Sequence, residues 1–103
     1  MLTFEVSNIA SARSILNVTI ENLKLLTEKQ FEDRSLLNDQ LKNLYYQNEK
    51  EFQSFSFFMN KLRLSLTNEK VGAPVAQIMQ LLGKRRSIEY LNNALNYVTF
   101  NVK

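Results

Sequence analysis

This 103-residue chain has only two glycines and one proline, and all three (Gly72, Pro74 and Gly83) fall in its last third. A β-rich chain needs a turn about every ten residues, usually built on glycine, proline or short polar side chains. Long helices need far fewer. The scarcity therefore points to an all-α chain. With 45% hydrophobic residues, including seven Phe and four Tyr, it has enough apolar surface to bury one core. The expected unit is a single helical domain over residues 1–103.

Apolar spacing divides that domain. Residues 2–6 (LTFEV) alternate apolar and polar and read as an extended lead-in, placed beside the β-prone tail Tyr97–Val102. Ile9, Ala12, Leu16, Ile20 and Leu23 then recur at intervals of three and four, which predicts a helix over about 8–30. Thr27 and Gln30 fit a capping box, and Asp33 and Ser35 are capable N-caps. A turn is favoured over 27–35, although neither glycine nor proline enforces one.

A second helix is predicted over about 33–68, roughly 50 Å long at 1.5 Å per residue. Leu37, Leu41 and Leu44 keep a heptad-like rhythm; Phe52, Phe55, Met59, Leu62 and Leu66 resume it one residue out of phase. The offset falls at Asn48 and reads as a stutter in one continuous helix. The segment Asn68–Pro74 is the clearest break, with Gly72 suited to ending a helix and Pro74 to starting one. A third helix over about 75–98 carries Ile78, Leu81, Leu82, Ile88, Leu91, Leu95 and Val98, and bends or splits at 83–86. The architecture expected is a three- or four-helix bundle, or an elongated helical hairpin, with one long central helix and coiled-coil-like packing.

The central helix has more apolar surface than one face can bury. At about 100° per residue, Tyr46, Phe57 and Leu64 lie almost opposite the Phe52–Leu66 seam. Burying each such side chain is worth about 1.5–3 kcal/mol, so the second stripe needs a cover. Either the outer helices of the same chain supply it, or a partner does. The second alternative makes Tyr46, Phe57 and Leu64, supported by Phe52 and Phe58, a protein-docking surface for another copy or another helical protein. The corresponding function is an adaptor, inhibitor or complex subunit.

Charge suggests a different class. Residues 71–103 carry Lys84, Arg85, Arg86 and Lys103 against Glu89 alone, which accounts for the whole net charge of +3. The string VAQIMQLLGKRRSIEYLNNAL resembles a helix-turn-helix of the resolvase and repressor kind: a helix ending in Leu-Leu-Gly, a turn, and a second helix that starts with basic residues. The resemblance implies that Arg85, Arg86, Ser87 and Glu89 face the major groove or phosphates, and the basic cluster Lys84, Arg85 and Arg86 is the nucleic-acid-binding surface of this alternative. The sequence departs from the pattern after Gly83, where Lys84 replaces the usual apolar residue.

Catalysis finds little support. There is no Cys and no His, which removes thiol nucleophiles, thiolate metal sites and the commonest general base. Glu28 and Glu32 stand one helical turn apart but among Lys24, Lys29 and Arg34, as on an ion-paired solvated face. No glycine-rich phosphate loop occurs. The expectation is a non-enzymatic cytoplasmic protein without cofactor, metal, small-molecule substrate or membrane span.

Overall fold

The three–four rhythm of the first segment folds into α1 (Ile9–Lys24), with Ala12, Ile15, Leu16, Ile20 and Leu23 buried along one side. The computed structural model describes the backbone of residues 9–69 and 72–100 and, within these, every side chain except those of Ile9, Thr99 and Phe100. The extended lead-in expected over residues 2–6 lies outside them.

α1 stops six residues short of the expected end. Its last turn tightens into two i→i+3 bonds, Leu25 N–H to Asn22 and Leu26 N–H to Leu23, both 3.1 Å. The capping box then forms as read. Thr27 N–H donates to Gln30 Oε1 (2.7 Å) and Gln30 N–H donates to Thr27 Oγ1 (3.1 Å). It opens a 3-10 turn, Gln30–Glu32, that carries Phe31 into the core. Burying both Leu26 and Phe31 requires the chain to turn between them, which shortens the helix. Asp33 starts α2 (Arg34–Gln47), its Oδ1 accepting from Leu36 N–H at 3.0 Å. Asp33→Ala is expected to cost about 1 kcal/mol, seen in a thermal melt as a fall of roughly 4–8 °C. An unchanged melting curve would mean the cap contributes nothing.

The single helix expected over 33–68 is corrected to three: α2, α3 (Glu49–Phe52) and α4 (Phe55–Thr67). The phase offset that read as a stutter is the trace of two corners. At the first, Asn48 leaves helical geometry (φ −133°, ψ 27°), and its Nδ2 donates to the Leu44 carbonyl at 2.9 Å. At the second, Gln53 takes φ 63°, ψ −115°, and Ser54 caps α4 by accepting from Phe57 N–H at 3.0 Å. The Tyr45 hydroxyl donates to the Gln53 carbonyl (3.0 Å) and holds the corner closed. These turns let Phe52 and Phe58 stack at 5.0 Å between ring centroids, both fully buried. A straight helix could not bring those two rings face to face.

α4 ends on Asn68, which adopts the left-handed conformation (φ 64°, ψ 21°) expected of Gly72. Asparagine tolerates that region better than other side-chain-bearing residues. Arg63 ties the following loop to α4, donating from Nε to the Ala73 carbonyl at 3.1 Å. Pro74 then directly precedes α5 (Val75–Phe100), which packs against α1, α2 and α4 and so forms the centre of the bundle. The helix read over 75–98 forms, with Val98 buried in the core, and it runs on to Phe100 through most of the stretch also read as an extended tail, whose residues 101–102 lie outside those described. Leu81 leaves the buried stripe and is 77% exposed, since Val75, Ile78 and Met79 already fill the inward face of that turn.

The radius of gyration of the Cα atoms is 12.5 Å, close to the ~13 Å of a compact domain of this size. Of the two architectures expected, the bundle forms and the elongated hairpin does not. Among the described residues no helix is long and apolar enough to cross a membrane.

Candidate functional site

The second break of the C-terminal third is a kink within α5, at Gly83 (φ 82°, ψ 172°). A Cβ added there would meet nothing within 4 Å. Glycine is thus required by the backbone conformation and not by lack of room. The helix turns and resumes after this one residue, whereas a helix-turn-helix joins its helices through a turn of about three to four residues. The helix-turn-helix resemblance therefore does not extend to the turn, since helical geometry resumes at Lys84 directly after Gly83, and of the two outcomes read for 83–86 the helix bends.

Instead the kink is tied to its surroundings on both sides. Ahead of it, Gln80 accepts from Arg34 Nε through its Oε1 (3.2 Å), and its Nε2 donates to the Glu32 carbonyl (2.8 Å). Beyond it, Lys84 Nζ donates to the Lys24 carbonyl at the end of α1 (3.2 Å). The buried Ser87 hydroxyl spans the break and donates to the Met79 carbonyl at 3.5 Å.

Two concavities flank this arrangement. The first, about 400 Å³, has the kink segment Gln80–Arg86 on one wall and Glu28, Phe31 and Glu32 on the other. Arg85 and Arg86 are exposed at its rim, and neither makes a hydrogen bond or ion pair among the described residues. The second, about 420 Å³, is bounded by Arg34, Ser35 and Asn38 of α2 and by Pro74 and Ala76 at the start of α5. Pro74 and Ala76 give it an apolar wall, while Ser35 and Asn38 bring hydrogen-bond donors and acceptors. The Arg34–Gln80 hydrogen bond joins the two, because Arg34 borders one and Gln80 the other.

Of the five residues read as a docking surface, Phe52, Phe58 and Leu64 lie in the chain's own core. Phe57 is half-buried beneath the Lys61 ammonium, 4.9 Å from its ring centroid, and Tyr46 stays 66% exposed. The stripe existed only on an unbroken helix, and the corners at Asn48 and Gln53 divide it. Of the basic trio, Lys84 is committed to α1, while Arg85 and Arg86 remain outward. Sequence reading did not single out Arg34, Ser35, Asn38, Ala76 and Gln80 as lining a concavity. Each has an ordinary helical context, and only the tertiary pairing of α2 with α5 brings them together.

Among the described residues no group of three or more carboxylate, His or Cys side chains could hold a metal ion. Over residues 3–95 the chain matches the model of a family described as the anticodon binding domain. No curated protein and no solved structure gives a match.

Proposed function

Because the chain belongs to the anticodon binding domain family, we propose that it is a helical RNA-binding module that holds the loop of a tRNA anticodon arm. The observation carrying this assignment to particular residues is an exposed arginine pair at one concavity with a second concavity of mixed lining beside it, the two neighbouring each other through the Arg34–Gln80 hydrogen bond.

The chemistry of a single-stranded loop suits that combination. Its bases are unstacked, so proteins read them by hydrogen bonds to their edges and by packing against their faces. The Pro74–Ala76 wall supplies packing, and Ser35 and Asn38 supply the edge contacts. Phosphates position the strand without specifying its sequence. Arg85 and Arg86 meet those phosphates as planar, always-charged donors, and Arg34 does so through the guanidinium nitrogens left free by its bond to Gln80. Glu28 and Glu32 on the facing wall repel the backbone and confine it to the arginine side. In this reading the chain binds and carries out no chemistry of its own.

The helix-docking function weighs less beside this. Three of its five residues are buried within the chain, and the family description concerns an anticodon.

Fluorescence anisotropy with a tRNA anticodon stem-loop tests the proposal, with the same stem lacking its loop as comparison. Binding is expected to favour the loop and to weaken with salt. If Arg34, Arg85 and Arg86 each neutralise one phosphate, the slope of log K against log salt should be about −2, at roughly 0.7 per contact on a single strand. Equal affinity for both RNAs, or indifference to salt, rejects it.

A further inference from the structure

We propose that Lys84 is a positioning residue: its ammonium caps α1 and fixes the kink that presents Arg85 and Arg86, and it is not itself a phosphate contact. The proposal rests on the RNA-binding reading above and names how that site is held.

The hydrogen-bond inventory of α1 supports this. A helix leaves its last carbonyls without intrahelical partners. In α1, Asn22 and Leu23 give theirs to Leu25 and Leu26 N–H, and the next carbonyl, that of Lys24, accepts from Lys84 Nζ at 3.2 Å. A cation at a helix C-terminus is favoured by the aligned peptide dipoles as well as by the hydrogen bond. The contact joins residues 60 apart in sequence. It is therefore a tertiary restraint that positions α5 against α1.

Gly83 permits φ 82° but does not select it, since glycine has several other conformations open to it. Selection comes from the ties on either side, Gln80 to Arg34 and Glu32, and Lys84 to Lys24. Arg85 follows immediately, so the direction of its side chain depends on how Lys84 is held. Neither arginine has a partner of its own among the described residues. The sequence presents three consecutive cations, but they divide into one that holds the backbone and two that face outward.

Affinity for the anticodon stem-loop across a salt series, with amide hydrogen exchange of the unliganded chain, decides the matter for Lys84→Met, Lys84→Arg and Arg85→Gln. Lys84→Met is expected to bind several-fold more weakly at an unchanged salt slope. Its amides at Leu25, Leu26 and Arg85–Ser87 should exchange several-fold faster. Lys84→Arg should restore both properties. Arg85→Gln should make the slope shallower by about 0.7 and leave exchange alone. A shallower slope for Lys84→Met, or exchange identical to wild type, overturns the proposal. If no variant and not even the wild type binds the RNA, it is the RNA-binding reading that fails, and the exchange data still decide the role of Lys84 at the kink.

Discussion

Phe58→Ala should lower the melting temperature by roughly 20–40 °C. Truncating a buried phenylalanine removes its transfer free energy and leaves a cavity, together about 3–5 kcal/mol. Each kcal/mol moves the midpoint of a domain this size by about 4–8 °C. Phe58 stands at the upper end of that range because its neighbours are rigid rings: Phe52 stacked at 5.0 Å, with Tyr45 and Phe55 at 6.1 and 6.3 Å. These close the corner between α3 and α4, and a methyl group in place of the ring gives them nothing to collapse onto. Tyr46→Ala is the control; its ring is 66% exposed and meets Tyr45 at 5.7 Å between centroids, and the change should stay within about 0.5 kcal/mol. A calorimetric scan in which the two variants melt together would show that the corner is not packed this way.

The second large effect concerns binding. Arg85→Gln combined with Arg86→Gln should weaken association with the anticodon stem-loop by at least tenfold near physiological salt. It should also make the salt slope shallower by about 1.4, twice the single-strand increment. Stability should hardly move, because both guanidinium groups are exposed and unpaired among the described residues. That separation makes the experiment informative: an affinity loss with an unchanged melting curve cannot be ascribed to unfolding. Undiminished affinity in the double variant would remove the kink from the interface and leave the cavity at Pro74 as the remaining candidate.

Much of the fold was legible because its signals are local. The capping box at Thr27 and Gln30, the cap at Asp33 and the break after Asn68 all depend on hydrogen bonds within three or four residues. The corner at Gln53 was not legible, and its energetics explain why. A glutamine at φ 63° is unfavourable by itself and is held by partners elsewhere, the Tyr45 hydroxyl on its carbonyl and Ser11 Oγ on its side chain at 3.2 Å. The only sequence trace was the one-residue slip between Leu44 and Phe52, which a stutter explained equally well. For the candidate site the position reverses. Arg85 and Arg86 stood out by charge alone, whereas Asn38 and Pro74 became neighbours only through the packing of α2 on α5.

α5 completes the core and also carries the arginines, which has a consequence for the order of events during synthesis. Ala12, Ile15, Leu16 and Leu23 leave the ribosome some sixty residues before the helix that covers them, and contacts so distant in sequence form late, after the entropy of closing a long loop has been overcome. The first three-quarters of the chain must therefore wait, partly folded and with apolar surface open, for its last helix. When that helix docks, it closes the interior and fixes the direction of the arginine pair in one step, so on the RNA-binding reading proposed above the binding face is complete only once the core is.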